Sequence, residues 1–169
     1  PAKLGFTAVP HSLADMVTVP AGYSVSVLYR LGDPLTAATP AYANNGTDAG
    51  FANRAGDHHD GMSYFGLAAT GAARDDASNS RGLLVMNHEN ISQDYLHVNG
   101  PTSTGSGQSR PESEALKEIE AHGVSVVEIV RGANGWSYVQ GTALNRRVTP
   151  NTPVALNGPV RGSALVRTR

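Results

Sequence analysis

The stretch Arg81-Gly82-Leu83-Leu84-Val85-Met86-Asn87-His88-Glu89-Asn90 sets a glycine before four unbroken apolar residues, then delivers three side chains able to coordinate or donate. A run this short fits a strand buried on both faces. Asn87, His88 and Glu89 then arrive at the end of a rigid element, where binding and catalytic groups are commonly mounted. In extended backbone alternate side chains face opposite ways. Asn87 and Glu89 thus form a pair of oxygen donors on one side, and His88 faces away as a supporting group. A strand end whose polar groups satisfy neighbouring backbone is the competing reading, and these residues alone leave both open.

Immediately upstream, Gly56-Asp57-His58-His59-Asp60-Gly61 groups carboxylates and imidazoles between two glycines. Such a turn suits a hard or borderline cation such as calcium, iron or zinc. The competing reading is a polar turn in which aspartates cap backbone N–H groups and the histidines face water. Residues 62–67 read as a second strand, 70–80 as an exposed hairpin-like connection, and 82–87 as the returning strand.

Further out, Tyr23, Val25, Val27 and Tyr29 alternate with Ser24 and Ser26, the period of a half-buried strand. Residues 1–19 read as an arm or covering segment. Residues 36–56 form a long aperiodic loop of the kind that is usually functional or mobile, and residues 98–109 are low in complexity and exposed. Ser109 with Glu112 three residues on gives a capping-box pattern that predicts the chain's one inserted helix, near 110–122, ending at His122-Gly123. His122 there caps the helix. Residues 124–131 and 136–140 read as a hairpin about Asn134-Gly135. Residues 145–153 are too rich in proline for a central strand. Residues 154–156 and 164–166 read as short strands about Gly158-Pro159. Arg146-Arg147 offers guanidinium forks to a phosphate or carboxylate, although paired arginines more often brace loops through carboxylates and carbonyls, the reading favoured here.

The whole is mainly β: short antiparallel strands with one inserted helix, as in a propeller or sandwich. The 169 residues suffice for one domain, and 16% charged residues with Gly 19 and Pro 10 fit a turn-rich, exported type of protein. A net charge of −1 speaks against a nucleic-acid or membrane-surface role. Residues 1–108 are net −4 (five basic, nine acidic) and residues 109–169 net +3 (eight basic, five acidic). Cysteine is absent, which excludes disulfides and thiolate ligands within these residues, and no apolar run reaches the ~18 residues of a membrane span. The opening Pro1-Ala2-Lys3, without methionine or signal peptide, reads as a processed or trimmed chain.

Several motifs in order resemble the PhoX family of bacterial alkaline phosphatases. They are Val19-Pro20-Ala21-Gly22-Tyr23 leading to Tyr29-Arg30-Leu31-Gly32-Asp33-Pro34-Leu35, then Asp60-Gly61-Met62-Ser63-Tyr64-Phe65, Gly82 to Glu89, and His122-Gly123-Val124-Ser125-Val126-Val127-Glu128. Trp136, Asn145-Arg146-Arg147, Thr152-Pro153 and Gly158-Pro159 follow. The resemblance implies a secreted or periplasmic phosphomonoesterase, exported by the twin-arginine route, built as a large β-propeller around calcium and iron. It implies Asp60, Asn87 and Glu89 as metal ligands, with Arg146 and Arg147 as weaker candidates for the phosphate ester. Family members are several times longer, so residues 1–169 are expected to be an N-terminal portion of an incomplete propeller, inactive by itself and prone to self-association or association with the remainder. A noncatalytic calcium-binding or adhesive β-protein on the same scaffold is the alternative.

Overall fold

The structure, a computed structural model, describes residues 5–102 and 109–166. Pro1-Ala2-Lys3 and residues 103–108 of the low-complexity stretch lie outside the described residues. A five-stranded antiparallel sheet organises the rest. Its middle is β2 (Arg81–His88), flanked by β1 (His59–Gly66) and β3 (Gly123–Gly132). The far edge of β3 is shared by β4 (Gly135–Tyr138) and β5 (Arg146–Val148). β5 is thus an edge strand, as Pro150 and Pro153 require of their neighbourhood.

β2 corrects one expectation. Gly82, Leu84, Met86 and His88 are buried, but Arg81, Leu83, Val85 and Asn87 are half-exposed, so the strand is buried on one face only. Alternation of side chains across a pleated strand gives this result when one sheet face is covered and the other open. The covered face packs Leu84, Met86, Val127 and Ile129 against Tyr29, Leu35 and Ala55, with Leu28, Trp136 and Tyr138 at its margin. A second small cluster joins Phe51, Leu96 and Ala121, where α1 (Gln93–Leu96) and α2 (Glu112–Ala121) meet the 3-10 turn Phe51–Asn53. The short α1 was not expected from sequence.

The hairpin joining β1 and β2 is present as expected, with β1 starting earlier. Residues 23–29 are not a strand, however. Tyr23, Val25 and Val27 are exposed and only Tyr29 is buried, because no described strand offers this segment a ladder. Residues 5–19 cover nothing of the core; Leu13, Met16 and Val17 are exposed. Nor do residues 154–156 or 164–166 form strands: the chain there is irregular, with 3-10 turns at Gly158–Val160 and Ala164–Val166. The loop at 36–56 is held by side chain–backbone hydrogen bonds. Buried Arg54 donates to the carbonyls of Ala49, Gly32 and Pro40, and the Asp48 carboxylate accepts from the backbone of Ala43 and Asn44. These side chain–backbone bonds leave no periodicity to read.

α2 forms where the pattern places it, but Ser109 does not cap it; Pro111 occupies the N-cap without a side-chain bond. The first turns are held from outside instead. Thr102 donates its backbone N–H at 3.0 Å and its hydroxyl at 2.6 Å to Glu114, and Arg110 pairs with both Glu114 and Glu118. His97 bonds Glu118 at 2.9 Å. The helix ends as expected at His122, whose Nδ1 bonds the Glu118 carbonyl at 2.8 Å. Gly123 follows at φ 110, where a Cβ would lie 2.1 Å from the Val148 carbonyl oxygen, so only glycine fits.

Two outcomes test this packing. Replacing Leu84 with Ala should cost about 2–5 kcal/mol in urea unfolding, whereas Leu83→Ala on the half-open face should cost under about 1 kcal/mol. Acid should also loosen α2. The Thr102 bonds hold Glu114, and the Arg110 bonds hold Glu118, each down to about 2 from the ordinary 4.5. Carboxyls depressed in the folded chain contribute stability above their unfolded pKa and lose it as pH falls through the folded one. Melting temperature should therefore drop between pH 4.5 and 2, and the drop should shrink in Arg110→Ala.

Candidate metal site at the end of β2

The sheet brings Asp60 and Asn87 together by an irregularity in β1. His59 pairs with His88 and Met62 with Met86, so three steps along β1 match two along β2. Asp60 and Gly61 jointly oppose Asn87 across this bulge. Bulges of this kind re-aim a side chain, and here Asp60 Oδ2 lies 3.5 Å from Asn87 Nδ2 at the solvent face. A half-turn of the amide would present its oxygen to the same space. Glu89, one residue past β2, is exposed, and its backbone N–H donates to the His58 carbonyl at 3.1 Å.

The remaining members of the Asp57–Asp60 tract diverge. The Asp57 carboxylate accepts from Ser92 N–H at 2.6 Å and His58 N–H at 2.8 Å, which is the backbone-capping role. His58, at φ 40, bonds the Ser92 hydroxyl at 2.9 Å. His59 turns inward, stacks on Tyr29 with ring centroids 5.4 Å apart, and reaches the Gly56 carbonyl. Asp57, His58 and His59 are thus engaged within the chain, and Asp60 is the member of the tract that faces Asn87.

His88 faces away from Asn87 and Glu89, as alternation requires. It is 1% exposed. Burial, then the Arg147 guanidinium and the His59 ring, push its pKa down from 6.5 to about 3, so the ring is neutral. Its Nε2 lies 2.9 Å from the Ser125 hydroxyl and accepts the Gly56 N–H at 3.3 Å.

Arg147 is a brace and not an anion clamp. Its Nε donates to the Arg54 carbonyl, its Nη1 to those of Val124 and Val148, and its Nη2 to those of Glu120 and His122. A guanidinium has five N–H bonds, and all are engaged. This fits the bracing reading of the arginine pair. Arg146 is exposed and turns Nη1 onto the carbonyls of Ala143 and Asn145.

Two carboxylates and an amide oxygen suit a hard, oxygen-seeking cation, but such ions take roughly six to eight oxygens. Among the described residues no group of three or more His, Asp or Glu is gathered closely enough to hold a metal. The donors present therefore fit one side of a coordination shell and not a whole one. Sequence reading missed the His88–Ser125–Gly56 tie and which carbonyls the Arg147 brace joins. The tie had a signal, since His88 shares the parity of Leu84 and Met86; the choice of carbonyls had none, because carbonyl acceptors carry no sequence mark.

The comparisons bear on what this edge belongs to. The family model described as alkaline phosphatase PhoX matches residues 4–169. No curated protein is significantly similar to the chain. Among solved structures, Pseudomonas fluorescens PhoX in complex with vanadate, a transition state analogue, is 34% identical with a TM-score of 0.80. The match covers 98% of this chain and 26% of that one. The chain belongs to the PhoX alkaline phosphatase family. It spans about a quarter of that solved relative's length.

The brace can be tested directly. Arg147→Lys keeps the charge but offers three donors to five carbonyls, and it should lower unfolding stability by about 3 kcal/mol or more. Thermal denaturation checks it.

Proposed function

We propose that these residues are the N-terminal part of an exported, metal-dependent phosphomonoesterase and have no turnover alone. The family match over residues 4–169, together with a 34%-identical solved PhoX of which the chain covers 26%, carries this reading. Asp60, Asn87 and Glu89 hold one side of a metal shell whose other donors come from elsewhere in the parent polypeptide. The family resemblance supplies calcium and iron as the metals, the twin-arginine route and the periplasm or exterior as destination. When bound, such cations polarise phosphoryl oxygens and stabilise charge developing on them. This chain's own residues orient that edge. Arg147 locks the sheet to α2 and the 54–58 loop, and Arg146 is the remaining candidate to touch a phosphate ester.

The open sheet fits a propeller blade set whose neighbours lie in the rest of the parent. The free edge of β1, with exposed Met62, Tyr64 and Phe65, and the unladdered 23–29 segment are what such neighbours would cover. Residues 1–169 alone are accordingly expected to self-associate or to bind the remainder. Among the described residues no helix is long and apolar enough to cross a membrane.

The incomplete shell and the fully engaged Arg147 favour one rival, a noncatalytic calcium-binding or adhesive member of the family. Elemental analysis and a phosphomonoester assay on the full-length polypeptide separate the two. The proposal expects calcium and iron with turnover, reduced roughly 10–100-fold or more by Asn87→Ala. Calcium without iron and without turnover would establish the rival.

A further inference from the structure

Three separate pieces of chain meet at one buried nitrogen. His88 ends β2, Ser125 lies in β3, and Gly56 belongs to the loop that feeds β1. Gly56 N–H points at Nε2, so that atom carries the lone pair and the ring proton sits on Nδ1. Nδ1 is itself buried, with the Asp57 backbone beside it. An apolar residue here would leave the buried Gly56 N–H and the Ser125 hydroxyl without the imidazole as partner.

Its neighbours show what it holds in place. The residues on either side of His88 are Asn87 and Glu89, and both face solvent. Opposite it in register stands His59, whose ring edge meets the His88 ring at 4.9 Å; the residue after His59 is Asp60. Gly56 presses flat on the imidazole, where a Cβ would lie 2.6 Å from His88 Cγ. The loop is sewn to the far end of β2 by Asp57 to Ser92, His58 to Ser92 and Glu89 to His58. The His88 tie connects this stitching to β3 directly through Ser125, beside the Arg147 contacts that also reach β3.

We infer that His88, seated by Ser125 and Gly56, is a positioning residue that sets how Asp60, Asn87 and Glu89 are presented at the sheet end. The inference rests on the proposed ligand role of those three residues, but it makes a claim about their geometry that stands without a metal. The imidazole pins the strand end and the bulge at the same point, so the two sides of the edge move together.

Nuclear magnetic resonance on the 169-residue chain tests it, with the Asn87 side-chain amide and the Asp60 and Gly61 backbone signals as readouts. Ser125→Ala, His88→Leu and His88→Gln are compared, with calcium chloride added as probe. Ser125→Ala is the mild variant should His88→Leu fail to fold. His88→Gln restores an acceptor near the Nε2 position. Loss of Asn87 amide dispersion in Ser125→Ala and His88→Leu, its return in His88→Gln, and a parallel roughly 10–100-fold weakening of calcium-induced shifts support the inference. Lower melting temperature with unchanged Asn87, Asp60 and Gly61 signals overturns it and leaves His88 a packing residue. If calcium moves no signal in the unsubstituted chain, the ligand assignment fails for this chain, while the amide signals still decide the positioning claim.

Discussion

Arg147 engages all five of its N–H bonds with backbone carbonyls, and those carbonyls come from four places in the chain. They are the loop before β1, the end of α2, β3 and β5. β3 and β5 share a ladder, and the guanidinium joins to them the loop before β1 and the end of α2. Partial burial pushes its pKa down to about 10, still well above neutrality. The same cation helps to keep His88 neutral. An interior brace and a neutral buried imidazole are thus two consequences of one charge placed under the sheet.

From that frame the solvent-facing edge follows. With the loop at 54–58 locked, β1 enters beside β2 in a register that needs an extra residue, and the bulge turns Asp60 toward Asn87. The outcome is a small oxygen-rich rim on a rigid base. It is too sparse to hold a hard cation alone, and it lies in a chain that matches a quarter of a phosphatase of its own family.

Much of the sheet was legible in the sequence because its signals are local. Short apolar and aromatic runs mark β1 and β2, β-branched residues mark β3, Asn134-Gly135 marks the β3–β4 turn, and Gly123 marks the end of α2. Residues 23–29 carry the same alternation and yet form no strand, since a strand also needs a partner and none is described. The covered and open faces of β2 could not be told apart in a run apolar at four successive positions. For the candidate site, alternation placed Asn87 and His88 on opposite faces. It could not foresee that Asp57, His58 and His59 would turn to separate tasks, because that depends on Ser92, Tyr29 and Gly56, which are remote in sequence. For Arg147 two chemistries are open to any guanidinium, and the positions of the carbonyls favour the bracing one.

The central claim is that the Asp60–Asn87–Glu89 rim is one side of a shared metal shell. Anomalous diffraction from crystals of the full-length polypeptide tests it most directly, with data collected on either side of the iron edge and at long wavelength for calcium. The account predicts a peak within about 2.3–2.6 Å of oxygens from at least two of these three residues. A full set of metal peaks elsewhere in the protein, with this rim in contact only with water, would contradict it.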